Sequence, residues 1–363
     1  MADVQKFDRY LEDTGPAALV LRERLVPVEG PDGVLFPPTY AAGDGFPGGY
    51  NIDGDLNGSN VCLIDSVGSQ ANRIEPIFGR EPYRDLVPQV TITAGEREIS
   101  LLEAGHRAGD AIVRCSELQE TLQQAFRELL KGNATPLAKI APTSLVFGVW
   151  DSRDTQAKSP RVVSSTIRAF DVRKLTRSAQ YVPATEYVAT NLLEEPSDKA
   201  TKKAYAERGF VHVPASGSPG GVIAKGGIRR EATLSLAALR LLSAGNDREQ
   251  TRALRRYVFG LAMTAFTFNV SGYLRQGCSL VLENPNDARR IEEVYPTGQR
   301  EPFTVTHEQA LAYAKQVARD FGVGESRKVS FDTERAKRDI KEQSKGETGG
   351  DGEKKGKAKR SRA

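Results

Sequence analysis

One short segment, residues 61–75, combines side chains of the types that bind phosphate groups. It reads VCLIDSVGSQANRIE and passes from an apolar run into hydroxyl, amide and guanidinium groups. Hydroxyls and amides donate hydrogen bonds to phosphate oxygens, and an arginine adds positive charge. If a helix begins here, its first backbone N–H groups lack partners within the helix, and its dipole is positive at that end. The segment therefore predicts contact with a phosphate backbone.

A helix over residues 66–78 divides these side chains into two faces. At about 100° of rotation per residue, the apolar side chains form one stripe, which predicts burial. Gly68 has no side chain, so a ligand backbone could approach it closely. The alternative is a capped helix with a solvated polar face, in which Asp65 or Ser66 is the N-cap. The candidate phosphate-binding residues on the polar side are Ser66, Gly68, Ser69, Gln70 and Arg73.

Basic residues elsewhere are candidates for the same chemistry. A glycine-rich loop at 216–231 has neither the GxxxxGK[ST] nor the GxGxxG spacing, so no nucleotide-binding loop is predicted there. Two interpretations of its cations are equally supported. They contact a sugar-phosphate backbone, or they are surface charges on a connecting loop. The segment 160–175 is apolar on one side and basic on the other. The candidates are Arg161, Arg168, Lys225, Arg229, Arg230 and, just before a predicted strand, Arg275.

A long segment rich in Gly, Pro, Asp and Asn, residues 29–60, is predicted to be an irregular insertion. Its aromatic residues either stack on bases or pin the loop to the core; they are Tyr40, Phe46 and Tyr50.

Catalysis has weaker support in the sequence. Asp151 follows an apolar run, a common place for a catalytic carboxylate, but no histidine is near it in the sequence. The three cysteines and three histidines are scattered and show no metal-ligand spacing. We therefore expect no catalytic site, no metal site and no cofactor.

The composition is typical of a globular protein that works in the cytoplasm. The 363 residues contain no apolar run long enough for a bilayer, and the first residues lack a signal peptide's apolar stretch. The formal net charge is +4, but residues 353–363 hold six Lys or Arg and one acid, so the remainder carries about −1. We expect residues 1–332 to form one elaborated domain and 333–363 a basic, mostly disordered tail. That tail either adds weak affinity for RNA or DNA or has no specific role.

The order of predicted elements indicates an α+β fold rather than a repeat or a doubly wound sheet. The strongest helix signals are two capping-box patterns, Ser116 with Gln119 and Thr306 with Gln309. Strands are predicted at 19–28, 61–64, 90–93, 98–102, 111–115, 144–150 and 278–284, and helices at 66–78, 116–131, 232–243, 247–266 and 307–321.

Several motifs occur together in one order along the chain. They are FPPTY, YNID, VCLIDSVGSQANRIE, SLVFGVWDSR, IRAFDV, GGIRREATLSLAALRLL and LRQGCSLV. As a set they resemble the backbone RAMP protein of the type I-G (formerly I-U) CRISPR interference complex, a divergent member of Cas family seven. The resemblance runs from about residue 17 to about residue 300 and excludes the tail.

The resemblance implies an RRM-like (ferredoxin-like) palm with finger and thumb insertions, near 29–60 and 151–180. It implies a subunit that polymerises along CRISPR RNA and supports guide pairing with target DNA. Implied partners are copies of itself, the large and other Cascade subunits and a recruited helicase-nuclease, with no membrane. It also implies that the turn into the first palm helix touches the RNA backbone.

Two other hypotheses stay open at this point. RAMP relatives in type III complexes cut RNA with an aspartate near the first strand, so the runner-up is a metal-dependent RNA-cleaving ribonuclease using Asp65 or Asp151. A third possibility is a scaffold that assembles through protein contacts alone.

Overall fold

The computed structural model describes residues 4–55, 58–269 and 272–341. Within these ranges no helix has both the length and the apolar character needed to cross a membrane. Most of the basic tail lies outside the described residues, but 333–341 are helical. Asp339 in this helix pairs with Arg114. The ordered chain therefore continues past the boundary expected at residue 333, because this short helix docks on the protein.

The protein mixes α-helices with mainly antiparallel strands. The strands are β1 (Ala18–Pro27), β2 (Thr39–Tyr40), β3 (Gly49–Tyr50), β4 (Ile52–Gly54), β5 (Asn60–Asp65), β6 (Val90–Ala94), β7 (Arg97–Ser100), β8 (Val149–Trp150), β9 (Lys158–Ser159), β10 (Val163–Phe170), β11 (Val172–Tyr181), β12 (Val213–Ala224), β13 (Ile228–Ser235), β14 (Tyr273–Arg275), β15 (Cys278–Leu282), β16 (Arg289–Val294), β17 (Arg300–Pro302) and β18 (Arg327–Ser330). The α-helices are α1 (Val67–Ile74), α2 (Ala111–Arg114), α3 (Gln119–Leu130), α4 (Thr135–Ile140), α5 (Pro142–Phe147), α6 (Lys199–Glu207), α7 (Leu236–Arg240), α8 (Arg248–Thr267), α9 (His307–Phe321) and α10 (333–341). Short 3-10 helices lie at Val4–Tyr10, Glu75–Gly79, Arg84–Leu86, Leu101–Glu103 and Arg107–Gly109.

A curled antiparallel sheet forms the centre of the molecule. Its strands follow the order β14-β15-β1-β13-β10-β5-β4, and β16 also pairs with β1. One edge of β1 is shared, because Ala18–Glu23 pair with β16 whereas Leu25–Pro27 pair with β15. From β10 and β13 the chain continues into a separate hairpin, β11 with β12.

One face of this sheet carries two apolar regions separated by a polar row. Residues opposite each other on antiparallel strands share a face. One apolar row aligns Leu19, Leu234 and Val163, and another aligns Leu25, Ile228 and Ala169. Between them lie the buried pair Glu23 and Arg230. A buried charged row at this position must be stabilised by partners, because unpaired buried charge is costly.

The larger apolar region packs against the helices α8 and α9, which contact each other closely. The predicted stripe on α8 is confirmed, with Leu254, Val258, Leu261 and Ala265 all fully buried. The predicted capping box of α9 is also confirmed, since the Thr306 and Gln309 side chains each accept from the other's backbone N–H. The smaller region lies under the insertion at 29–60, where buried Tyr50 accepts a hydrogen bond from the Gly221 N–H. Tyr50 therefore pins the loop to the core, whereas Tyr40 is exposed.

Several predicted elements are wrong. The run 144–150 is helical as far as Phe147 in α5, and only Val149–Trp150 form a strand. Every residue of α5 is buried, so its sequence has no polar face that would distinguish a helix from a buried strand. The segment 111–115 begins as α2, and 232–235 belong to strand β13 rather than to a helix. The Ser116 capping box is absent, because the Ser116 Oγ accepts from the Leu118 N–H and α3 begins at Gln119.

Candidate nucleic-acid interface

Helix α1 begins where the sequence predicts and is capped by a serine. The Ser66 Oγ accepts from the Ser69 N–H at 3.2 Å, so Ser66 and not Asp65 is the N-cap. The apolar stripe is buried, as Ala71 and Ile74 show. Gly68 is open: an added Cβ would meet only the Ser66 Oγ, at 4.0 Å. The first turn of α1 therefore has room for a ligand at Gly68.

Asp65 organises the polar side of α1. Its carboxylate is fully buried and accepts hydrogen bonds from four side chains. Arg73 and Arg275 are partly exposed, so the carboxylate fixes two cations while leaving part of each in solvent. Much of the polar side of α1 thus faces the Asp65 carboxylate of the same chain. The donors are Ser69 Oγ at 2.8 Å, Gln70 Nε2 at 2.6 Å, Arg73 Nε at 3.0 Å and Arg275 Nη2 at 3.1 Å.

A buried hydrogen-bonded network continues from Gln70 across the sheet. The Ser165 Oγ donates to the Gln70 Oε1 at 2.9 Å and accepts from the Arg230 Nε at 3.0 Å. Arg230 then pairs with Glu23, with 3.1 Å between Nη1 and Oε2, and Arg289 pairs with the other oxygen of Glu23. Gln70 and Arg230 are therefore buried in the interior, although the sequence predicts both at a ligand.

An open groove of about 1350 Å³ lies beside α1. It runs between the first turns of α1, the turn at 105–107 and the segment 148–161. Four residues proposed from the sequence meet here, although Arg161 is far from α1 along the chain. They are Gly68, Ser69, Arg73 and Arg161.

The groove also contains residues that the sequence pattern does not predict as part of a site. Trp150 is 53% exposed, and the Lys158 ammonium lies 4.2 Å from the centre of its ring. His106 and Asn72 line the same groove. The signal that could have found Trp150 is a lone tryptophan directly after an apolar run, where a polar loop follows. A groove that combines cations, an aromatic face and a helix start is suited to a single-stranded nucleic acid.

One residue that lines the groove, Arg107, belongs to a buried ion pair. The Arg107 Nε lies 2.6 Å from the Glu75 Oε2, and both side chains are at least nine-tenths buried. Burial raises the pKa of Glu75 to about 7, against the opposing effect of the Arg107 charge. The Arg107 Nη1 donates to the Gly148 carbonyl at 3.5 Å, while its Nη2 has no hydrogen-bond partner among the described residues.

The remaining candidates are Arg168 and Arg229, on the opposite face of the sheet, and Lys225, in the turn before β13. Arg24, Arg229 and Arg168 stand opposite one another on β1, β13 and β10. The Arg229 guanidinium lies 4.3 Å from the centre of the Phe170 ring, and Lys225 lines a cavity of about 550 Å³ beside it. Arg24 is paired with Glu283 and Asp287, which offsets part of the positive charge. The structure therefore divides the proposed residues among the groove, the buried network and this outer surface.

Part of the chain matches a known protein family. Residues 19–174 match the family model described as CRISPR-associated protein GSU0053 (Cas_GSU0053). The match indicates a CRISPR-associated protein. It covers less than half of the chain, yet it includes every residue that lines the groove. No curated protein matches the chain.

Proposed function

We propose that this CRISPR-associated protein is the RNA-binding backbone subunit of a cytoplasmic type I interference complex. In this role it polymerises along CRISPR RNA and supports guide pairing with target DNA. It contacts copies of itself and the large and other subunits, and the assembled complex recruits a helicase-nuclease. Base pairing reads the target in such complexes, so the protein needs contact only with the RNA backbone and its shape.

The groove beside α1 is the observation that carries this proposal. It joins the first turn of α1 to two exposed cations, Lys158 and Arg161, and to the exposed Trp150. None of these groups selects one base over another, since phosphate contacts and stacking are both tolerant of sequence. The groove therefore suits a subunit that must hold guides of any sequence.

The strand order supports an RRM-like palm. Along the chain the order is β1, α1, β10, β13, α8 and β16, a β-α-β-β-α-β succession. In space the order is β16-β1-β13-β10, and all three neighbouring pairs are antiparallel. Side chains of α1 and α8 belong to the same apolar core. The hairpin β11–β12 enters between β10 and β13, and we assign it as the thumb.

The environment of both aspartates favours binding over RNA cleavage. Asp65 is fully buried and its four donors occupy both oxygens. Asp151 is also buried, and its Oδ2 accepts from the Thr155 N–H and Oγ1. At Asp65 a metal ion would have to displace these donors before the carboxylate could coordinate it, and at Asp151 it would compete with two donors for Oδ2.

Sequencing the RNA that purifies with the protein tests the proposal. We expect RNA made of a repeat and a spacer. An absence of nucleic acid, or RNA of unrelated sequences, would contradict the assignment. The ribonuclease alternative is tested by incubating the complex with labelled target RNA and magnesium. Regularly spaced products that disappear in Asp65→Ala would establish it.

A further inference from the structure

We infer that a cavity at the point where the central sheet divides binds a small monoanion with an apolar body, whose anionic head group contacts Arg289. We call it the fork cavity. Its volume is about 530 Å³, which lies within the range of sites for small molecules. It shares no lining residue with the groove beside α1. The inference therefore goes beyond the proposed function and does not depend on it.

The fork cavity lies where one edge of β1 changes its partner. Up to Glu23 this edge pairs with β16, and from Leu25 it pairs with β15. One stretch of a strand edge hydrogen-bonds only one neighbour, so β15 and β16 diverge at this point. Residues of all three strands line the space between them. They are Glu23, Leu25, Leu280, Val281, Leu282 and Arg289.

Apolar side chains form most of the wall of the fork cavity. Ile167, Leu274 and Leu280 line it and are buried. Val281 and Leu282 line it too, although they remain 48% and 38% exposed. The cavity is open to solvent rather than enclosed. A ligand with an apolar body would therefore remove apolar surface of β15 from water, which favours binding.

The polar end of the fork cavity carries more positive than negative charge. Two arginines share one carboxylate: the Arg230 Nη1 lies 3.1 Å from the Glu23 Oε2, and the Arg289 Nε lies 3.3 Å from Oε1. These three side chains are the only charged ones among the described residues that line the cavity. Burial lowers the pKa of Arg289, Glu23 opposes this, and Arg230 adds to it. A second anion at this end would therefore be stabilised.

Arg289 has the donors that such an anion needs. Its side chain is 25% exposed and lines the cavity. Its Nε faces Glu23, its Nη1 donates to the Asn269 Oδ1, and its Nη2 donates to the Thr267 carbonyl at 3.3 Å. A guanidinium has five N–H groups, so each Nη keeps one without a partner among the described residues. Arg230, only 4% exposed, contributes charge rather than a contact.

The two parts of the fork cavity together select the ligand class. A cation would be repelled by the excess positive charge. A purely apolar molecule would take water away from Arg289 without replacing its hydrogen bonds. A small inorganic anion would leave the apolar wall in water. A carboxylate or similar single anionic group on an apolar chain satisfies both parts.

A matched pair of probes, octanoate and octan-1-ol, tests the inference on the full-length protein. The two molecules have the same chain length and differ in the charge of the head group. Both compete against 1-anilinonaphthalene-8-sulfonate, a dye with apolar rings and one anionic group, whose emission rises when it leaves water. Octanoate should displace the dye at a concentration about tenfold lower than octan-1-ol, because hydrogen bonds to a charged group add at least this factor.

Two substitutions place the binding in the fork cavity. Arg289→Gln should abolish the preference for octanoate, whereas Arg290→Gln, at an exposed neighbour that does not line the cavity, should keep it. Val281→Trp fills the cavity from β15 and should weaken the binding of both probes. Its control is Val28→Trp, at a residue that is 54% exposed and lies outside the lining. Val281→Trp leaves the ion pairs of Glu23 intact, so it tests the cavity even if Arg289→Gln does not fold.

Three results would overturn the inference. The first is no displacement of the dye by octanoate at millimolar concentrations. The second is equal displacement by octanoate and octan-1-ol, or a preference for octanoate that survives Arg289→Gln. The third is binding of both probes that Val281→Trp leaves unchanged, since the probes would then bind elsewhere. None of these results concerns RNA, so the proposed function would stand or fall separately.

Discussion

Replacing Asp65 by alanine should destabilise the protein strongly, because this carboxylate joins three separate parts of the fold. It lies at the end of β5 and receives hydrogen bonds from α1 and from Arg275 at the end of β14. In Asp65→Ala the fully buried Gln70 amide loses the partner of its Nε2, which costs about 1–3 kcal/mol. Arg73 and Arg275, whose side chains are 29% and 25% exposed, lose their counter-charge.

The loss of counter-charge at Arg73 and Arg275 lowers the free energy of unfolding less than it would at fully buried ions, since water reaches part of each side chain. Breaking a fully buried pair costs about 3–5 kcal/mol, and partial solvation reduces this. Together with the amide, the expected loss in the free energy of unfolding is about 3–5 kcal/mol. Urea unfolding followed by circular dichroism measures it. Asp53→Ala, at an exposed aspartate of β4, is the control and should change stability by less than about 0.5 kcal/mol.

One result would contradict the role of Asp65 as a structural support for α1. If Asp65→Ala is as stable as the wild type and the complex loses an RNA-cleaving activity, then Asp65 is catalytic. The assignment of Asp65 to the support of α1 would then be wrong.

Two further predictions concern the buried polar groups. Ser165→Ala leaves the Gln70 Oε1 and the Arg230 Nε without this partner, so urea unfolding should show that the free energy of unfolding falls by about 1–3 kcal/mol. The control, Ser164→Ala on the opposite face of β10, should be nearly neutral. Equal effects of the two substitutions would contradict the network. Burial raises the pKa of Glu75 from 4.5 to about 7, so the folded state binds the proton more tightly than the unfolded state does. The resulting stability is fully present below pH 4.5 and is lost as the pH rises towards 7, by at most about 1.4 kcal/mol per unit. Denaturation series should show this fall between pH 5 and pH 7 relative to Glu75→Gln, and parallel curves for the two proteins would refute the shift.

The sequence predicted α1 well because its signals are local. The apolar residues Ala71 and Ile74 follow the period of a helix and are buried. The polar stripe had two possible partners, a ligand or the protein itself, and periodicity does not distinguish them. The partner of Gln70 beyond Asp65 is Ser165, which is 95 residues away in the chain. Only the register of β10 against its neighbours brings it there.

The groove was predicted in part. Gly68, Ser69 and Arg73 follow from the same helix pattern, but Arg161 joins them only because the chain returns to α1 after α5. The segment 144–150 was predicted as a strand, since a helix buried on every side lacks the polar face that reveals its period. The exposure of Trp150 depends on where the chain goes after α5, and the only local signal for it is the position of a lone tryptophan between an apolar run and a polar loop.

The salt dependence of RNA binding is the most direct test of the central claim that this groove binds an RNA backbone. The variant is Lys158→Gln with Arg161→Gln, and the control is Lys6→Gln with Arg319→Gln, which removes two exposed cations that do not line the groove. The groove variant should lower the slope of log K against log salt by about 1.4, because each phosphate that the protein no longer neutralises reduces the slope by about 0.7. The control should keep the wild-type slope. Identical slopes for the wild type and both variants would show that RNA does not bind in this groove.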